Sequence, residues 1–126
     1  MGQAFRDLQV WQRAIQLTVA IYRLTQGFPR EEIYGLSSQI RRAAVSIPSN
    51  IAEGQGRLSV GEFKQFLSVA RGSNQELQTQ LVIARSLGFG DPALIDEAES
   101  LSQEVGKMIY ALLESLHEST SLKTGR

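Results

Sequence analysis

The chain has 126 residues, with 13 basic and 13 acidic side chains and a formal net charge of zero. Hydrophobic residues make up 42% and charged residues 21%, which excludes a disordered chain, a membrane span and a uniformly polycationic nucleic-acid coat. With no cysteine there is no disulfide and no thiolate chemistry, and a chain of this length can bury one core without staples.

The first fifteen residues, MGQAFRDLQVWQRAI, hold no continuous apolar run with a small-residue cleavage site. Arg6 stands where a myristoylation motif requires Ser or Thr. A soluble, cytoplasmic protein with no membrane partner is the expectation.

A first helix is expected over about residues 7–26, closed by Gly27-Phe28-Pro29. Its apolar residues from Leu8 to Leu24 cover roughly 200° at about 100° per residue, twice what a bundle helix needs. The polar remainder is a narrow strip of Gln9, Gln12, Arg13, Gln16 and Arg23. Such a helix calls for burial on two sides, the second against another subunit.

The second helix is expected over about 30–54, with a stripe of Ile33, Leu36, Ile40, Ala43, Ala44, Ile47 and Ile51. Pro48 falls inside this pattern, where it cannot donate to the Ala44 carbonyl and should kink the helix. Ser46, Ser49 and Asn50 are placed to satisfy the freed groups. Arg42, Ser46, Ser49 and Glu53 are assigned by angle to the face opposite the apolar stripe.

A third helix, about 59–87, opens on a capping box of Ser59 and Glu62 and ends at Gly88-Phe89-Gly90. Asn74 lies within its apolar stripe and needs a partner inside the bundle, since an unpaired buried amide is costly. Gly72, on the other face, costs about 1 kcal/mol relative to Ala, and a closely packed neighbouring helix would compensate. The fourth helix, about 91–117, starts at Asp91-Pro92 as N-cap and first turn. Four helices with short connections predict an all-α fold: one domain over 1–126, an up-down-up-down antiparallel four-helix bundle with a proline-kinked second helix.

The zero net charge conceals a division. Residues 1–90 carry ten basic and six acidic side chains, a net of +4, and residues 91–126 carry three and seven, a net of −4. Arg57, Lys64, Arg71 and Arg85 share one heptad line, with Gln78 in the gap. Together with Arg41 and Arg42 they form the candidate nucleic-acid surface, a phosphate track of weak sequence preference with no aromatic interleaved. Catalysis finds no foothold. His117 is the single histidine, the carboxylates are dispersed, and no phosphate-loop, dinucleotide or nucleophile-elbow motif occurs. No catalytic, metal or cofactor residues and no small-molecule substrate are therefore assigned.

The segments FRDLQVWQRA, FPREEIYGLSSQIRRAAVSIPSNIAEGQGR and EFKQFLSVARGSNQELQTQL together resemble the bacterial four-helix-bundle family named for reading frames in 23S ribosomal RNA intervening sequences. The likeness runs from about Phe5 to Leu116 and is most specific at Ser46-Ile47-Pro48-Ser49-Asn50-Ile51-Ala52-Glu53-Gly54. It implies a ring-like homopentamer and kinship with the accessory protein of diversity-generating retroelements, a strongly basic nucleic-acid binder. It carries no catalytic residues over; the positions it implies are structural: Gly35, Pro48, Asn50, Glu53, Gly54, Gly72 and Ser73. Two functions follow as expectations. One is a non-enzymatic oligomer associating with RNA, DNA or ribonucleoprotein, and the other is a protein-binding adaptor or scaffold without nucleic acid.

Overall fold

The computed structural model describes residues 4–124, with side chains over 4–117. Four helices carry the fold: α1 over Gln9–Thr25, α2 over Leu36–Gln55, α3 over Val60–Leu87 and α4 over Pro92–Thr124. Single 3-10 turns lie at Phe5–Asp7 and Arg30–Glu32, and no strand occurs among the described residues. α1 packs on α2 and α4, and α3 packs on the same two, so α1 and α3 stand diagonally across the bundle. Thr18 and Thr25 of α1 meet Ala44 and Arg41 of α2; Asn74 and Arg85 of α3 meet Ser102 and Asp96 of α4. In both seams the residue numbers rise along one helix as they fall along the other.

The core is made by the 3/4-spaced aliphatics of all four helices. Leu17, Ile21, Ile40, Ile47, Leu67, Leu77, Leu81, Ile95 and Ile109 are completely buried. Each contributes about 1.5–3 kcal/mol of apolar burial, so this shared centre dominates the stability of the bundle. Ile95 belongs to it although Leu94 fits the sequence stripe better; Leu94 is only partly covered.

The start of α2 differs from the sequence expectation. The chain makes a 3-10 turn at Arg30–Glu32 and reaches helical geometry at Leu36, leaving Ile33 57% exposed instead of in the core stripe. Glu32 is the reason for the new boundary. Its Oε1 accepts the Leu36 N–H at 3.0 Å, capping the helix from outside. Gly35 stands between them; a Cβ there would meet that carboxylate oxygen at 2.8 Å.

Pro48 lies buried inside a helix that continues through it to Gln55. The Ala44 carbonyl that it leaves free accepts from Thr18 of α1, whose hydroxyl lies 3.1 Å away and 2.8 Å from its own Ala14 carbonyl. A single hydroxyl proton serves both. The three polar neighbours expected to do this act elsewhere or not at all: Asn50 donates to the Ser46 carbonyl and hydroxyl, at 2.8 and 2.9 Å. Ser46 does not face away from the core but meets Ser73 of α3 at 2.8 Å.

Gly54 is a point of close approach in the α2–α3 seam. A Cβ on Gly54 would stand 2.6 Å from Cβ of Phe66 and 3.1 Å from the Phe63 ring, so only hydrogen fits. The seam therefore passes from a hydroxyl pair at Ser46–Ser73 to bare backbone contact at Gly54. Ser59 caps α3 by accepting the Glu62 N–H at 3.1 Å, while the Glu62 carboxylate faces the Ser59 hydroxyl at 3.4 Å instead of closing the other half of the capping box. Gly88, at φ 74°, ends α3 in the left-handed conformation, and the following Phe89 N–H returns to the Ala84 carbonyl at 2.9 Å. Asp91 caps α4 by accepting the Ala93 N–H.

Gly54→Ala is expected to lower unfolding free energy by about 1–3 kcal/mol through overpacking, measured by urea denaturation. Thr18→Val, leaving the Ala44 carbonyl unpaired, is expected to cost about 1–2 kcal/mol, with Thr18→Ser retaining most of the wild-type stability.

Candidate functional site

The apolar surplus of α1 remains on the surface. Ile15, Val19 and Tyr22 follow one another at helical spacing and are 37%, 43% and 42% exposed. Hollows flank this ridge on both sides. The one toward α4, about 510 Å³, includes Arg23, Glu97 and Leu101; the one toward α2, about 540 Å³, includes Ile33, Arg42 and Val45.

On the diagonal helix, α3 also exposes apolar side chains: Val69, Val82 and Ile83 are each roughly half uncovered. Gly72 lies among them. The neighbouring helix expected to pack closely there is missing, because an added Cβ would meet nothing within 4 Å. Within one chain its conformational cost has no packing return.

The six cations of the expected nucleic-acid surface separate into two regions. Arg41 and Arg42 lie on the α1–α2 side, where Arg41 donates to Thr25 at 2.7 Å and stacks over Tyr22 at 4.7 Å from the ring centre. Arg57 turns back to Glu53 at 3.0 Å and covers the Phe66 ring at 4.8 Å. Arg85 bridges Asp96 and Glu99 of α4 at 2.6 and 2.9 Å. Those two hydrogen bonds, that to Asp96 foremost, push its guanidinium above its already high usual value. Lys64 and Arg71 remain on the α3 line, and among the described residues neither has a carboxylate within ion-pair distance.

Arg71 opens into a groove of about 430 Å³ between α3 and α4. Across it stand Lys107 and Tyr110 of α4, and Gln75, Gln78 and Gln103 complete its polar walls. Asn74 is part of its lining and finds the partner it needed in Ser102. The Asn74 amide donates to the Ser102 carbonyl at 2.9 Å, and the Ser102 hydroxyl donates back to the Asn74 oxygen at 2.7 Å, both residues being buried. Gly106 makes room beside them: a Cβ there would press to 3.1 Å on the amide nitrogen of Asn74. The sequence does not associate Lys107 and Tyr110 with Arg71, because they belong to the acidic fourth helix, over thirty residues away. The usable signal was that Lys107 is the lone Lys or Arg between Pro92 and His117, amid five carboxylates.

His117 is exposed near the far end of the described side chains. Among the described residues, no three of His, Asp and Glu gather into a set that could hold a metal ion, and no helix is long and apolar enough to cross a membrane.

The family model of the 23S rRNA-intervening sequence protein matches residues 6–111 of the chain. The chain is also similar to the crystal structure of a protein of unknown function from the S23 ribosomal protein family of Bacteroides thetaiotaomicron VPI-5482. The two agree at a TM-score of 0.76 and 22% identity, over 83% of this chain and 95% of that one, which shows a shared fold. No curated protein matches the chain in sequence.

A double-mutant cycle of Asn74→Ala and Ser102→Ala is expected to give a coupling energy of about 1–3 kcal/mol in urea unfolding, since each residue satisfies the other out of water.

Proposed function

The chain belongs to the 23S rRNA-intervening sequence protein family, and from that premise we propose that it is a non-enzymatic, cytoplasmic assembly module that works as a homo-oligomer. The observation that carries this reading is the pair of uncovered apolar faces on diagonal helices: Ile15, Val19 and Tyr22 on α1, and Val69 and Ile83 beside Gly72 on α3. Two different faces on opposite sides of one subunit suit head-to-tail contacts, which close into a ring when the rotation allows. A two-fold contact would use one face twice and leave the other wet.

In this arrangement the α1 ridge of one subunit lies against α3 of the next. Gly72, bare within its own chain, supplies the flat place where the neighbour's ridge can approach the backbone. The same arrangement explains why helix one is apolar over twice the usual arc. The resemblance of the sequence to its family leads to five subunits as the expected number.

Light scattering on a sizing column is expected to give a multiple of the 13.9 kDa chain mass at micromolar concentration. Val19→Glu and Gly72→Leu each spoil one face and are expected to be monomeric alone. Mixed, they retain one good α1 face and one good α3 face and should form a species of twice the chain mass and no larger. A monomeric wild type removes the proposal. Monomeric variants that fail to pair when mixed remove the head-to-tail geometry.

A further inference from the structure

From the α3–α4 groove we infer that each subunit carries a binding site for a short single-stranded stretch of nucleic acid, made by Arg71, Lys107, Tyr110 and the amides of Gln75, Gln78 and Gln103. The starting point is electrostatic. Arg71 and Lys107 line the same groove, and no carboxylate lines it with them. Of the carboxylates on α4, Asp96 and Glu99 hold Arg85 and Glu104 holds Arg13 at 3.0 Å, while Glu97 and Glu114 are not part of the groove lining. Two like charges facing one hollow without a counter-charge make a site for an anion.

The rest of the lining selects the class of anion. Tyr110 is 54% exposed at the edge of the groove, so its ring offers a face on which a base can stack. The three glutamines present both donors and acceptors, matching the edges of unpaired bases, which carry both. An acidic peptide would use the two cations and leave the tyrosine face and most of the amide groups without a purpose. Lys64 extends the groove: seven residues before Arg71 on the same line of α3, it lies about 10.5 Å further along the axis. Arg57 and Arg85, engaged with carboxylates, are outside the site.

Asn74 lines the groove but is tied to the buried Ser102 and takes no part in binding. Their hydrogen-bonding capacity is directed to each other, which holds the two walls at a fixed separation. The binding surface is thus set on two rigid helices instead of on loops.

The test is fluorescence anisotropy with labelled twelve-nucleotide oligo(U) and oligo(dT), on the full-length protein, across a salt series starting at low ionic strength. Binding is expected to weaken with salt along a log–log slope of about −0.7 per phosphate contact, hence about −2 for Arg71, Lys107 and Lys64 together. Arg71→Gln with Lys107→Gln should weaken low-salt binding at least about tenfold and reduce the slope by about 1.4. Tyr110→Leu should weaken binding roughly 5- to 150-fold while leaving the slope in place, because stacking releases no counterions. Arg30→Gln, a charge removed from the α1–α2 connection, should change neither. Oligo(U) and oligo(dT) distinguish RNA from DNA, and tight binding of either supports the site. Arg71, Lys107, Tyr110 and Arg30 are all exposed, and an unchanged helical circular dichroism spectrum verifies that the variants fold.

The site lies within a single subunit, so the Val19→Glu protein is expected to keep the same salt slope. Loss of assembly and loss of binding are separate readouts. The inference is overturned if neither oligonucleotide binds at low salt, if the Arg71→Gln, Lys107→Gln protein binds as tightly as the wild type, or if a labelled twelve-residue oligoglutamate binds as well as the oligonucleotides with no response to Tyr110→Leu.

Discussion

Asn74 and Ser102 exchange two hydrogen bonds inside the apolar core, and the geometry of the α3–α4 side depends on that exchange. A buried amide has two donors and an oxygen that must all be considered against water, and leaving one unmet costs about 1–3 kcal/mol. The pair forms only where the carbonyl of Ser102 comes level with position 74, so sliding α4 along α3 by a turn would strand both groups. Gly106 is part of the same arrangement, since a methyl group there would push on the amide. The open groove above the pair has its width and its register from this contact.

On the opposite seam, α2 and α3 are held by different means. Hydroxyl oxygens of Ser46 and Ser73 meet at one level, and Gly54 admits the β-carbon of Phe66 at another. Pro48 lies between those levels, and its missing donor is offset from the other direction by Thr18 of α1. The segment that makes the sequence most distinctive is thereby a packing element joining three helices: Ser46 and Gly54 toward α3, Ala44 toward α1. Glu53, at its exposed edge, holds Arg57 against the Phe66 ring and so closes the corner between α2 and α3.

Charge follows the same division of labour. The acidic fourth helix neutralises Arg85 and Arg13 at its seams, which couples it to both of its neighbours. Exposed pairs of this kind are worth about 0–1 kcal/mol each, so their main effect here is to decide which cations stay available. On α3 and α4, the cations without an ion pair among the described side chains are Lys64, Arg71 and Lys107. A neutral chain can therefore carry a local cationic groove without any excess of basic residues.

Much of the bundle was legible in the sequence because its causes are local. The 3.6-residue period of the apolar residues, Ser59, Gly88 and Asp91 at helix ends, and Asn74 out of place in an apolar stripe are all properties of short windows, and each led to the element or contact found. The excess apolar arc of α1 was equally visible, since it needs only angles along one helix. Ile33 fits the apolar period but lies outside the core, because a carboxylate three residues beyond a proline, Glu32, caps the helix at Leu36 and outweighs a periodicity that extends further back. Thr18 as the partner of the Ala44 carbonyl, the open space over Gly72, and the meeting of Arg71 with Lys107 and Tyr110 join residues far apart in the chain. The sequence by itself determined four amphipathic helices, their caps and the polar group that had to be satisfied in the core. Only the tertiary structure decided which cations were consumed by carboxylates and which faced one another across a groove, because side-chain pairing across a seam depends on the axial register of two helices, and that register is set by packing.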